Sequence, residues 1–304
     1  MEKSTLPKVN RYLIWGLVLI LFGSTLLMAG CNSKPASVSE GVKGKLKVAV
    51  SIVPQATFVK AVGGDLVDVV TMIPPGGNPE NYAPTPQQMA QFSDARIYFS
   101  IGVPSEKANI LPKVKDLNKN ITMVDLPTMI DAVYPARTFD SGERDPHMWL
   151  SPKRAKEIIQ ITRQQFSQLD PSHKATYDEN AQSYIAKLDK LDQDIRASLA
   201  NLPNKTFIVY HPAFGYFADD YGLKMVALEE EGKEATAADL QQVIDLAKKE
   251  YIKVIFYQAE VDSKQSKTLA AELGGQTEMV APLDPDYITN LEKTAQTFAR
   301  VLHQ

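Results

Sequence analysis

From Leu46 onward the apolar positions fall into short runs separated by segments of helical period. Runs of strand length lie at 46–53 (LKVAVSIV), 67–73 (VDVVTMI), 96–101 (RIYFSI) and 121–124. A second set follows at 205–210 (KTFIVY), 223–228 (LKMVAL), 252–257 (IKVIFY) and 277–281. Strand runs alternating with helical segments are the pattern of a parallel sheet, and the pattern occurs twice. The expected fold class is therefore α/β, with one parallel-sheet lobe over 46–150 and another over 204–304.

The stretch between them, 151–203, is helical throughout. Asp170 stands where an N-cap belongs and Pro171 at the first helical position. Beyond them Tyr177, Ala181, Tyr184, Leu188, Leu191, Ile195 and Leu199 recur at spacings of four and three, with no Gly or Pro between. The spacing predicts one helix of about 29 residues, about 43 Å long at 1.5 Å per residue. Such a helix is a spine for both lobes, and two lobes fixed to one rigid rod hinge little.

The first thirty residues carry a different pattern. Lys3, Lys8 and Arg11 precede an apolar or small stretch, 13–30 (LIWGLVLILFGSTLLMAG), which reads as an export signal removed from the mature chain. The alternative is an uncleaved span, since 18 apolar residues just cross a bilayer. The stretch ends Leu27-Met28-Ala29-Gly30-Cys31, which resembles a bacterial lipobox and marks Cys31 for lipidation. Residues 31–45, rich in Ser, Gly and Lys without apolar period, read as a flexible tether. The expectation is an extracytoplasmic body anchored by lipid to a bacterial cell membrane.

Composition narrows the chemistry. With 44% apolar and 23% charged side chains over 304 residues, the chain has the material for two core-bearing domains. Its 33 basic and 36 acidic residues leave a net charge of -3 and no polybasic block, which argues against a nucleic-acid partner. A single cysteine permits neither an intrachain disulfide nor a thiolate cluster, so a metal site must use nitrogen and oxygen donors. The imidazoles are His147, His173, His211 and His303.

In open α/β sheets ligands bind beyond the carboxyl ends of the strands. Four polar segments stand there: the proline-rich loop 74–86 with Glu80, the segment 145–152 with His147, the segment 210–217 with His211, and 280–287 with Asp284. All four are expected to converge on a cleft between the lobes. Two imidazoles with one or two carboxylates suit Zn2+, and Mn2+ or Fe2+ as oxygen donors increase. These positions are scattered, however, and other roles remain open: His147 as a helix-entry residue, His211 as a core histidine, Glu80 as a solvated loop acid. His173, in the first turn of the spine, and His303, next to the C-terminal residue, read as solvated. Glu229, Glu230 and Glu231 read as a solvated face, or as a rim that concentrates cations by focusing the field.

The segments DPHMWLSP, HPAFGYFADDYGL and NYAPTP together resemble the signatures of the zinc/manganese ABC-transporter solute-binding lipoproteins, the cluster A-I family. The resemblance runs along the whole mature chain and includes the spine, the charged loop at 228–234 and Tyr287. It implies a monomeric carrier and not an enzyme: one divalent ion, Zn2+ or Mn2+, sits between the lobes on side chains from four loops and passes to an ABC permease. It places His147 and His211 at the second and third ligand positions, and Glu80 where the first is usually histidine. Glutamate there shifts preference towards harder ions such as Mn2+. The fourth ligand is usually an aspartate after the last strand; ungapped alignment on Pro282-Leu283 puts Ala281 there, with Asp284 three residues later as its substitute. Glu260 is a reserve oxygen donor, and Trp149 and Phe214, beside the histidine segments, are expected as dry walls. A metallohydrolase would need an open coordination position and a general base, and no HExxH helix or nucleophile elbow is present. The substitutions at 80 and 281 motivate a different reading: a relative with a weakened or lost metal site, acting as an adhesin or binding another solute.

Overall fold

The computed structural model describes residues 44–230, 233–261 and 264–303. The expected export signal, Cys31, nearly all of the tether and Glu231 lie outside the described residues. No helix among the described residues is long and apolar enough to cross a membrane.

The N-terminal half runs β1 (Leu46–Val50), α1 (Val53–Gly63), β2 (Val67–Thr71), α2 (Pro86–Ser93), β3 (Ile97–Ser100), α3 (Val114–Leu117), β4 (Thr122–Asp125) and α4 (Leu126–Asp131). Two longer helices follow, α5 (Pro152–Leu169) and α6 (Lys174–Ser198). The C-terminal half runs β5 (Thr206–Val209), α7 (Gly215–Tyr221), β6 (Lys224–Ala227), the short β7 (Glu229–Glu230) and β8 (Lys233–Glu234), α8 (Ala237–Lys249), β9 (Val254–Tyr257), α9 (Lys264–Glu272), β10 (Gln276–Met279) and α10 (Tyr287–Leu302). Each of the eight runs expected as strands holds one, starting within two residues of the expected position.

Both four-stranded sheets are parallel, ordered β2-β1-β3-β4 and β10-β9-β5-β6; β7 and β8 pair antiparallel. In the first, Val48 lies opposite both Val69 and Ile97. In each sheet the central strand, β1 or β5, has its next strand on one side and a later strand on the other. That reversal opens a crevice at the strands' carboxyl ends, where α/β proteins take ligands. The first strand stops at Val50 because Gln55 Oε1 accepts the N–H groups of Ser51 and Ile52, turning the chain into α1.

The spine differs from its expected form in where it begins. The α-helix starts at Lys174 and has 25 residues, entered through a 3-10 turn at Pro171–His173. Asp170 is buried at that turn, where its carboxylate accepts from Ser172 Oγ (2.5 Å), His173 Nδ1 (2.6 Å) and Tyr177 Oη (2.9 Å). Burial works against the charge, but these hydrogen bonds hold the Asp170 carboxyl below its usual range. His173, expected in solvent, is half-exposed and engaged with that carboxylate. The buried face of α6 carries Tyr177, Ala181, Leu188, Leu191 and Ile195. Against α6 pack α1 from the first half and α10 from the second. One core cluster consequently runs through both sheets, from Phe58 and Phe99 through Phe166, Tyr177 and Leu188 to Phe207, Phe217 and Phe298.

Candidate metal centre

Glu80 is placed by a loop that leaves little freedom. Asn78 Oδ1 accepts the Glu80 N–H at 2.9 Å, an Asx turn, and the Asn78 carbonyl accepts from Asn81 and Tyr82. The Ser105 N–H, at the carboxyl end of the first sheet, donates to Pro79 O at 3.0 Å and pins the loop there. Thr85 then starts α2 through a capping box with Gln88, whose side chain also accepts from Tyr82 Oη.

His147 follows Pro146, and a single carboxylate oxygen orients it. Asp145 Oδ1 accepts both the His147 backbone N–H (2.9 Å) and Nδ1–H (2.8 Å). Asp145 is fully buried. His211 lies just beyond β5, where the Tyr210 N–H still pairs with Phe256 O. Its Nδ1 lies 3.1 and 3.3 Å from the two oxygens of Glu229, and the Glu229 N–H donates to Tyr210 O.

With each Nδ1–H donated to a carboxylate, both imidazoles carry their lone pair on Nε2. Those two Nε2 atoms face each other at 3.0 Å. Two lone pairs at that distance repel unless a proton or a cation lies between them. Zn–N bonds of about 2.0–2.1 Å in a tetrahedral site separate two nitrogens by roughly 3.3 Å, so the spacing is nearly that of a zinc pair. Glu80 Oε1 lies 3.7 Å from His211 Nε2, and one ligand atom from each of Glu80, His147 and His211 falls within 4.8 Å of the others. The two histidines are about 5% exposed and line a cleft of about 750 Å³ together with Lys107, Phe139 and Arg144.

Residues 48–301 match the family described as ZnuA, zinc-uptake complex component A, periplasmic. The chain belongs to this family. The high-affinity zinc uptake system protein ZnuA of Bacillus subtilis is 34% identical over 284 residues, 89% of either chain. The manganese ABC transporter substrate-binding lipoprotein PsaA of Streptococcus mitis is 26% identical, with 84% of this chain and 85% of that one covered. The zinc-binding lipoprotein AdcA of Streptococcus pneumoniae R6 is 30% identical across 95% of this chain, which spans 61% of AdcA's length. A crystal structure of a ZnuA deletion mutant with zinc bound superimposes with a TM-score of 0.81 at 35% identity, over 86% of this chain and 99% of that one. The ZnuA family comprises solute-binding components of zinc and manganese ABC transporters and not enzymes, and its architecture is the two-lobed α/β fold found here.

Asp284 and Glu260 lie away from the three grouped ligand atoms. Asp284 Oδ1 accepts the Asp286 N–H at 2.7 Å, in the turn that leads into α10. Glu260 is half-buried. Trp149 stands against His147 with ring centroids 5.1 Å apart. Phe214 packs on Phe217 and Phe298 in the shared core. Glu229, read from the sequence as part of a solvated face or of a rim that concentrates cations, is buried, because strand pairing continues past β6 and draws its backbone onto Tyr210. Asp145 and Glu229 both escaped the sequence reading as orienting groups. For Asp145 a signal existed in the D-P-H spacing, since an acid two residues before a histidine can reach its Nδ1; for Glu229, 18 residues from His211, none did.

Proposed function

We propose that the chain is an extracytoplasmic receptor, anchored through a lipid on Cys31, which captures one divalent transition metal and delivers it to an ABC permease. In this reading residues 1–30 are removed on export, 31–45 tether the body, and the metal sits between lobes 46–150 and 204–304, joined by 151–203. The observation that carries the proposal is the pair of Nε2 atoms 3.0 Å apart, each backed by a carboxylate on Nδ1.

Two imidazoles and the Glu80 carboxylate are a zinc donor set, with water or a cleft group completing four coordination. The near approach of Glu80 favours a working site over a lost one. Manganese prefers six oxygen-rich positions, so Zn2+ is expected to bind more tightly. The names of the B. subtilis and S. mitis relatives, one zinc and one manganese, span both metals.

Residues 32–304, stripped with chelator, are titrated with Zn2+ and Mn2+ by calorimetry. One Zn2+ per chain at submicromolar affinity is expected, with His147→Ala and His211→Ala each weakening it at least 100-fold. Retention of wild-type affinity in either variant would overturn the ligand assignment, and absence of binding in the wild type would overturn the function.

A further inference from the structure

Arg137 lies outside the ligand cluster, on the segment that folds back on itself through a bridge between Thr138 and Arg144. Its guanidinium faces the side of Asp145 turned away from His147. Asp145 Oδ1 is committed to His147; Oδ2 is buried, makes no hydrogen bond, and has Arg137 Nε 3.4 Å away as its counter-charge. A fully buried carboxylate stays charged at the expense of solvation unless a cation stands beside it.

The backbone fixes this pairing. The Asp145 N–H donates to Arg137 O (2.9 Å), the Arg137 N–H donates to Tyr216 Oη (2.9 Å), and that hydroxyl donates to Asp145 O (3.1 Å). The guanidinium then rests over Gly215, the first residue of α7. A Cβ at 215 would lie 2.1 Å from Arg137 Nε and 2.7 Å from Asp145 Oδ2. Only glycine leaves room for the pair. One turn further on, Asp219 Oδ2 lies 3.8 Å from the same Nε. The segment has a further anchor in Arg154 Nη2, which donates to Pro135 O.

We propose that Arg137 is a positioning residue for metal capture. It locks the Asp145 carboxylate in one orientation, and Asp145 in turn holds the His147 imidazole with Nε2 towards the cleft. The α7 N-terminus supplies the notch, so the aim of a ligand on one side of the cleft is set partly by a helix on the other. This inference rests on the metal-binding reading above.

The test uses the mature chain with Arg137→Gln, Arg137→Lys and Gly215→Ala. It reads Zn2+ affinity by competition calorimetry, the visible spectrum of the Co2+ form, and the melting temperature without metal. Loss of a group that hydrogen-bonds a metal ligand typically weakens the site by about 10–100-fold, and Arg137 acts one step further out, by its charge beside Asp145. Arg137→Gln is expected at the lower end of that range, about 10-fold, with a shifted Co2+ band, both read well below a metal-free melting temperature that falls because the buried Asp145 carboxylate loses its counter-charge. Arg137→Lys restores most of the lost affinity. Gly215→Ala crowds both the guanidinium and Asp145 Oδ2, so it weakens binding at least as much as Arg137→Gln, and combining the two costs less than the sum of the separate losses. Wild-type affinity and spectrum in Arg137→Gln, no rescue by lysine, or additive losses each overturn the proposal. A wild-type chain that takes up no Zn2+ overturns the metal-binding reading as well, so the two failures are told apart.

Discussion

At the residue scale the site depends on which nitrogen of each imidazole is free. The Nδ1 contacts to Asp145 and Glu229 settle that for both histidines. Glu229→Gln keeps an acceptor for His211 but removes the charge behind it, and is expected to weaken Zn2+ binding about 10-fold, by the measure of other outer partners; calorimetry against the wild type checks it. Asp284→Ala is expected to leave affinity within a factor of two, since Asp284 Oδ1 is engaged by the Asp286 N–H. A large loss in that variant would return Asp284 to the ligand set. Glu106 offers a separate prediction. Burial pushes its carboxyl up to about 7, although Ser51 Oγ and the N–H groups of Ile101 and Gly102 donate to it and Asp125 adds repulsion. The folded chain therefore keeps this proton to higher pH than the unfolded chain does. Stability assigned to the group is present below the ordinary carboxyl range, declines as pH rises towards 7, and stays lost above it. Glu106→Gln does not titrate, so its stability relative to wild type is expected to rise with pH over that window by at most about 1.4 kcal/mol per pH unit. Urea melts in chelator at pH 5, 6, 7 and 8 measure the slope; a constant difference would contradict it.

At the scale of elements, local chemistry accounts for several boundaries near the site. The proline-rich loop is rigid at both ends, through the Asn78 turn and the Thr85 capping box. Thr85→Ala removes the hydroxyl that accepts the Gln88 N–H and is expected to cost about 1 kcal/mol in thermal or urea unfolding. The helix α7 ends at Gly222, which takes the left-handed conformation (φ 68°) that closes many helices. The spine was legible as a helix from its buried stripe, Tyr177 to Ile195, but its start was not. Pro171 signals a beginning, yet Asp170 draws Ser172, His173 and Tyr177 onto one carboxylate and tightens the first turn into a 3-10 form. That competition between side chain and backbone is invisible to periodicity.

At the scale of the molecule, the two sheets share one core and are tied by polar contacts across it. Trp149 Nε1 donates to Pro282 O (2.9 Å), Tyr287 Oη to Trp149 O (2.7 Å), and Thr57 Oγ1 to Pro285 O (2.8 Å). The Phe58 and Tyr287 rings meet edge-on at 4.8 Å. A large hinge would break these contacts and open the common core. The metal-free and Zn2+-loaded forms are therefore expected to have the same radius of gyration by solution scattering, while Zn2+ raises the melting temperature with the logarithm of its concentration over Kd. A marked compaction on loading would show that the lobes move as bodies.

Alternating apolar runs determined the eight strands, their parallel class and the helix between the sheets, because burial on two faces of a strand or one face of a helix leaves its period in the order of residues. The loops beyond strand ends brought Glu80 and His211 into view, since parallel strands deliver their carboxyl ends to one edge, and the polar segment entering α5 did the same for His147. Only the tertiary structure decided which acids stand behind the imidazoles. Asp145 is near His147 in sequence, but Glu229 reaches His211 through the pairing of β5 with β6, Arg137 reaches Asp145 through a notch over Gly215, and Asp284 is drawn into a local turn. Such contacts depend on distances of a few ångströms between segments far apart in the chain, and the order of residues along one segment carries no trace of them.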